Sequence, residues 1–299
     1  MQDDIAGLIA GIPVLAGWDG PAQRLGGLTN RVYRLGDAIL RVPGEGTADY
    51  IDRAAEAVAA EAAARAGVSP KVLHIDPANG LMVTRYIAGT VTMTPDAFRD
   101  RPGAPERAAM ALRQLHQSGQ VFATRFELFA MIDDYLRLLS GKDVALPQGY
   151  HAVVADAEAV RAALARTPVP LVPCHCDPLC ENFLDVGSRM WIVDWEYAGM
   201  NDPMWDLGDL SVEAEFDAAQ DDAMLMAYFN GPAPDADRAR MVIYKAMCDL
   251  LWTLWGLIQL ANDNPAEDFQ AYADGRFARC RALMASPVFS QHVAVLAGK

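Results

Sequence analysis

His175-Cys176-Asp177, followed after four residues by Asn182 and then by Asp194 at the end of the apolar run Met190-Trp191-Ile192-Val193, constrains this chain more than any other feature. The pattern H-x-D-x4-N with a later Asp sets out one carboxylate as a base and two further oxygen ligands for a metal, in the order that phosphoryl transfer uses. That chemistry needs a carboxylate beside the attacking hydroxyl. It also needs separate oxygen ligands that hold Mg2+ against the phosphates without neutralising the first carboxylate. The local sequence supplies matching turns. Leu171-Val172-Pro173-Cys174 reads as a short buried strand that delivers His175 and Asp177 to a loop. Phe183-Leu184-Asp185-Val186 and Met190-Trp191-Ile192-Val193 flank Gly187-Ser188-Arg189, a hairpin signal that returns Asp194 to the side of Asn182. Asp177 is then the candidate base, and Asn182 and Asp194 are candidate Mg2+ ligands. His175 reads as a brace for the loop.

Cys174, Cys176 and Cys180 crowd the same segment. Structural zinc uses spaced pairs of ligands, and the remaining Cys248 and Cys280 stand alone in helical surroundings, so zinc is not expected. A chain of 299 residues, 52% hydrophobic, can build one large core or two lobes. With 39 acidic against 25 basic residues its net charge is -14, which opposes nucleic acid and anionic membranes and favours a cationic small molecule. Met1-Gln2-Asp3-Asp4 has no basic leader character, and five cysteines without a framework suit a reducing compartment, so a cytoplasmic location is expected. Met241 to Ala261 is almost continuously apolar. Lys245 and Asp249 interrupt it, and Leu250 to Ile258 is too short to cross a bilayer, which predicts a buried helix and no membrane insertion.

The order of periodicities predicts an α+β protein of two lobes. Val32-Tyr33-Arg34-Leu35 and Ala38-Ile39-Leu40-Arg41-Val42 flank Gly36-Asp37, and Lys71 to His74 and Leu81 to Thr84 form a second pair of strand-like runs. Ala54 to Ala66 between them is an Ala- and Glu-rich helix former ended by Gly67. This β-rich lobe is assigned to residues 1–88. From Gly89 the pattern is helical over 106–117, 128–139, 153–165, 204–215, 221–229, 235–261 and 267–285, a second lobe over 89–299 interrupted once by the catalytic hairpins. Leu25-Gly26-Gly27-Leu28-Thr29-Asn30 permits close backbone approach to phosphate, with Thr29 and Asn30 as side-chain donors. Ser140-Gly141-Lys142-Asp143 lacks the upstream glycine and the hydroxyl of a P-loop. Arg41 is placed to reach phosphates, with Glu56 on the following helix as the partner that fixes it.

Gly26 to Asn30, Ile39-Leu40-Arg41, His175-x-Asp177 to Asn182, Ile192-Val193-Asp194-Trp195-Glu196-Tyr197-Ala198-Gly199, Asn201-Asp202-Pro203 and Asp206-Leu207-Gly208 together resemble the choline/ethanolamine kinase family, within the aminoglycoside phosphotransferase-like group. The likeness runs over roughly residues 20–285 and is strongest over 173–213. It implies a protein-kinase-like fold, a small N-terminal nucleotide-binding lobe, a larger catalytic and acceptor-binding lobe, ATP, Mg2+ and a small alcohol acceptor. On that resemblance Asp177 is the base, Asn182 and Asp194 hold magnesium, Arg41 with Glu56 positions the phosphates, and the backbone of Arg85-Tyr86-Ile87 is the hinge that receives adenine. Trp252 and Trp255 fall in the segment that contributes rings to the family's choline pocket, where a quaternary ammonium is held by aromatic faces and carboxylates. Tyr197, Glu213 and Tyr272 are further acceptor-site candidates. Arg41 stands where protein kinases have Lys, and Asp209 stands where eukaryotic choline kinases have Asn. The expected function is an ATP-dependent choline kinase. Ethanolamine, thiamine and aminoglycoside kinases of the same fold are the alternatives. A non-catalytic nucleotide- or choline-binding module would have no need of Asp177, Asn182 and Asp194 together.

Overall fold

The computed structural model describes residues 5–26, 30–44 and 51–298. After α1 (Ile5–Ala10) and a 3-10 turn (Pro13–Leu15) come β1 (Gln23–Gly26), β2 (Arg31–Leu35), β3 (Ala38–Val42), α2 (Arg53–Arg65), β4 (Val72–Asp76) and β5 (Leu81–Arg85). The five strands form one antiparallel sheet in the order β1-β2-β3-β5-β4. β2 and β3 join through Gly36-Asp37, where Gly36 takes a φ of 58°, the left-handed backbone that a two-residue hairpin demands. Strand alternation then divides the sheet. Tyr33, Leu35, Leu40 and Val42 face a small core completed by Ile9, Ile12 and Leu15 from the N-terminal segment. Val32, Ile39 and Arg41 face the opposite way, into a cavity. Helix α2 starts where Asp52 accepts hydrogen bonds from the amides of Ala54 and Ala55, which puts Glu56 in its first turn, on the buried side.

The rest of the chain is a larger, mainly helical body: β6 (Val91–Thr92), α3 (Pro95–Asp100), α4 (Ala104–His116), α5 (Leu128–Leu139), α6 (Tyr150–Arg166), β7 (Val172–Cys174), β8 (Phe183–Asp185), β9 (Met190–Ile192), β10 (Gly199–Asn201), α7 (Pro203–Glu213), α8 (Ala218–Phe229), α9 (Asp235–Ala261), α10 (Phe269–Met284) and α11 (Pro287–Leu296). β7 pairs with β10, and β8 pairs with both β6 and β9. The central helix α9 packs against α5, α7, α10 and α11. Its approach to α7 depends on Gly208, where a Cβ would lie 2.6 Å from the Met241 carbonyl oxygen and 3.0 Å from the Tyr244 Cβ. The most apolar stretch of α9 is 83% buried inside the protein. The two charges within it are paired, Lys245 with Asp221 at 2.7 Å and Asp249 with Arg279 at 2.7 Å.

The two-part α+β architecture and the buried α9 are as the sequence predicts. α4, α6, α7 and α8 begin one to three residues earlier than periodicity places them, and α10 is shorter at both ends. α1, α3, α11, β1, β6 and β10 are additions. α11 begins with a side-chain cap, Ser286 Oγ accepting from the Phe289 amide with Pro287 in the first turn, and follows directly after the predicted last helix.

Candidate active site

β7 ends at Cys174, beside Gly199 of β10, and projects His175, Cys176 and Asp177 into a loop. Asp206, completely buried on α7, fixes that loop by accepting hydrogen bonds from the His175 amide at 2.7 Å and the Cys176 amide at 2.8 Å. The same carboxylate meets His116 Nε2 at 2.9 Å, and His116 Nδ1 meets the Tyr228 hydroxyl at 2.8 Å. Such charge-assisted bonds are strong enough to hold a strained backbone, and Cys176 is a non-glycine residue at φ 68°. The Trp205 indole donates to the Cys176 carbonyl at 3.0 Å, which closes the loop from the other side.

His175 is wholly buried and ties the two halves of the sequence motif together. Its Nδ1 accepts from the Asp177 amide at 3.3 Å, so Nε2 carries the proton and donates to the Val193 carbonyl at 2.9 Å. Burial lowers its pKa, in keeping with a neutral ring. Asn182 donates through its side chain to the Asp177 carbonyl at 3.0 Å and accepts from the Val193 amide through its own carbonyl at 3.0 Å. Asp177, Asn182 and Asp194 all line one cavity. Asp194 is the second strained non-glycine residue of the site, also at φ 68°.

Arg41 pairs with Glu56 as the sequence predicts, but within a larger cluster. Its guanidinium also reaches Glu196 at 3.3 Å, Asp194 at 3.4 Å and the Gly80 carbonyl at 3.2 Å. Arg53 joins Glu196 at 2.5 Å and Glu56 at 2.8 Å. Burial works to lower the Arg41 pKa, and Glu56, Asp194 and Glu196 more than offset it, so the guanidinium stays charged. Burial and the Glu196 charge push the Asp194 carboxyl up to about 7, with Arg41 opposing them. The sequence reading passed over Glu196, Arg53, Asp206 and His116. Glu196 and Asp206 stand in the D-W-E and D-L-G words, which were the available signal; Arg53 and His116 carry none.

The cavity holds about 570 Å³ and runs between the sheet and the helical body. Val32, Ile39, Met82 and Thr84 line its sheet side, together with Asn30 and the segment Arg85-Tyr86-Ile87. The Arg85 and Tyr86 amides donate to the carbonyls of Lys71 and Asp37, each at 2.8 Å, whereas the Ile87 amide has no backbone partner among the described residues. Asn30 Oδ1 accepts from the Gly44 amide at 3.3 Å. Thr29 lies outside the described residues.

At the other end Tyr197 and Trp255 line the cavity, and Trp252 stands behind them. Trp252 is buried, packs edge-on against Tyr197 at 5.2 Å, and donates its indole N–H to Asp209 Oδ2 at 3.1 Å. Trp255 packs edge-on against Tyr272 at 5.6 Å and Phe269 at 5.7 Å. Glu213 forms an ion pair with Arg276, whose guanidinium lies over the Tyr272 ring at 4.8 Å. Burial, then the charges of Asp209, Glu213 and Asp194, raise the Asp177 pKa well above the ordinary carboxylate range, against the pull of Arg276.

The sequence profile of the phosphotransferase enzyme family matches residues 22–244. Among solved structures, a choline/ethanolamine kinase family protein from Mesorhizobium loti superposes with a TM-score of 0.92 at 66% identity, over 99% of both chains. The choline kinase LicA from Streptococcus pneumoniae has a TM-score of 0.76 at 27% identity, over 89% of this chain and 93% of its own. LicA in complex with AMP gives 0.74 at 26% identity, over 93% and 92%.

Proposed function

This chain belongs to the phosphotransferase enzyme family and, within it, to the choline/ethanolamine kinases, and we propose that it transfers the γ-phosphoryl group of ATP to the hydroxyl of choline. The observation that carries the proposal is a single cavity whose lining includes the Ile87 hinge, Arg41, the triad Asp177, Asn182 and Asp194, and the rings of Tyr197 and Trp255. The AMP complex of LicA supports a nucleotide ligand, which we place at the sheet end. There the apolar faces of Val32, Ile39 and Met82 suit a base, and the Ile87 amide suits its edge. The boundary at residues 88 and 89, between a nucleotide-binding lobe and a catalytic, acceptor-binding lobe, belongs to the same proposal.

The residues fit a hard divalent cation. Asp194 and Asn182 supply oxygen donors to the cavity, and a carboxyl pushed up to about 7 is one that a nearby positive charge would return to its ionised form. Mg2+ held there would shield the phosphate charge and orient the γ-phosphoryl group. Asp177 would accept the proton of the acceptor hydroxyl; burial, Asp209 and Glu213 raise its pKa, and a cation in the pocket would offset those charges and favour the ionised form that a base needs. Arg41, fixed by Glu56 and Glu196, would face the phosphates with a charge that burial does not remove.

The direct test is release of ADP by the purified protein with ATP and Mg2+ over choline, ethanolamine, thiamine and kanamycin. Choline should give the highest kcat/KM, with ethanolamine next. Turnover of kanamycin or thiamine with none on either amino alcohol would overturn the reading.

The unequal placement of the two tryptophans gives a second expected result. Trp255→Leu removes a ring that lines the cavity. Loss of one cation–π face, about 0.5 to 2 kcal/mol, should raise the choline KM by roughly 3- to 30-fold. Trp252→Leu removes a buried side chain and orphans Asp209, so it should also lower the melting temperature, which Trp255→Leu should do less. Equal melting temperatures and equal KM values for the two variants would refute this division of roles.

A further inference from the structure

The carboxylates behind the acceptor end of the cavity outnumber the cations that face them. Among the described residues, Asp177 at the cavity wall and Asp209, Glu213 and Asp249 behind it are joined by two cations, Arg276 and Arg279. Arg279 is committed to Asp249 by two contacts of 2.7 Å, and Arg276 is shared between Asp249 at 3.2 Å and Glu213. Asp209 receives neither guanidinium in a direct contact among the described residues. It is 1% exposed, and its Oδ2 is bonded to the Trp252 indole. Its Oδ1 has no nitrogen or oxygen donor among the described residues, and the Cys248 thiol beside the carboxyl is a weak partner shared with the Lys245 carbonyl at 3.2 Å. Burial and then the Glu213 charge push the Asp209 carboxyl well above the ordinary carboxylate range, against Arg276, the Trp252 indole and Cys248, so a cation arriving in the site would return it to the ionised form.

We propose that Asp209 is a specificity-determining residue: its carboxylate, set behind Trp252 and without a cation in direct contact, makes the acceptor site select a cationic head group over a neutral one of the same shape. The inference rests on the amino-alcohol reading and names the part of the chain that enforces it. The mechanism has two components. The carboxylate acts at short range across a low-dielectric layer, where a charge that water does not screen acts strongly. By accepting the indole N–H it also fixes the Trp252 ring, which is packed edge-on against Tyr197 at the cavity wall. Asp209 does not line the cavity, so it is a positioning and electrostatic residue and is kept apart from the catalytic groups.

Neutral isosteres separate charge from shape. With 3,3-dimethyl-1-butanol, the carbon analogue of choline, the unmodified protein should show a kcat/KM at least about 100-fold below that for choline, the range expected when a desolvated cation loses its partners. Asp209→Asn keeps an oxygen to accept from Trp252 but replaces the charge with an amide. It should raise the choline KM about 10-fold, change the KM of the neutral analogue by less than about 2-fold, and leave the KM for ATP unchanged. If the KM values for choline and the analogue rise together, Asp209 only supports packing and the proposal fails. It fails also if neither moves. Should the variant not fold, the unmodified protein decides alone, since equal use of choline and its neutral analogue contradicts the proposal. If the unmodified protein phosphorylates no amino alcohol, it is the functional reading that falls.

Discussion

Asp177→Asn is expected to lower kcat by about 100-fold or more, the usual scale for loss of a general base, while the KM for ATP changes little. The side chain keeps its size, and the contacts that hold the loop do not involve its carboxylate. They run through the His175 and Cys176 amides to Asp206 and through Asn182 to the Asp177 carbonyl. Stability provides the control. The folded-state pKa of Asp177 is raised, first by burial and then by Asp209, Glu213 and Asp194. A carboxyl raised in this way contributes its stability below the unfolded pKa and loses it as pH rises through the folded value, so at neutral pH the group adds less to the fold than it does in acid. The variant should therefore melt at the same temperature as the parent or above it. A near-normal kcat would remove Asp177 as the base, and a lowered melting temperature would assign it a structural role instead.

The part of this site legible in the sequence is the part set by short-range spacing. His175, Asp177 and Asn182 lie on one loop, and the hairpin turn at Gly187-Ser188-Arg189 returns the chain so that Val193 bonds to Asn182. Both are decided within about twenty residues, where turn chemistry dominates. The residues that hold the loop were not legible, because their partners are remote. Asp206 bonds amides about thirty positions earlier, and His116 reaches it from α4. Nothing in the local pattern marks a carboxylate as the acceptor of a distant backbone amide. The tryptophans show the limit of periodicity. Positions 252 and 255 share a helix face, but a long helix packed against α5, α7, α10 and α11 has depth as well as direction, so one ring meets the cavity and the other is buried behind it. The short strands β6 and β10 are likewise tertiary products, formed because β8 and β7 offer an edge.

Asp194→Ala should reduce Mg2+-dependent turnover by about 1,000-fold or more, at or beyond the upper end of what loss of one electrostatic contact to a transferring group costs, and should weaken binding of Mg-ATP. The argument is one of charge balance. In the cluster around Arg41 of the central strand, Arg41 and Arg53 are matched by Glu56 and Glu196, with contacts of 3.3 Å or less on each side. Asp194 is the carboxylate left over. Its one contact to Arg41 is the longest in the set at 3.4 Å, and its side chain is a third exposed, toward the cavity. Truncation therefore leaves the cluster neutral, and folding should survive it. The remaining concern is the backbone, because alanine tolerates the φ of 68° poorly. Asp194→Asn answers it, since asparagine accepts that conformation, retains one oxygen and removes the charge; it should melt close to the parent and still lose most turnover. Titration of Mg-ATP by calorimetry distinguishes the outcomes: parent-like affinity in both variants would mean that the excess carboxylate does not face a metal, and the Mg2+ assignment at Asn182 and Asp194 would have to be abandoned.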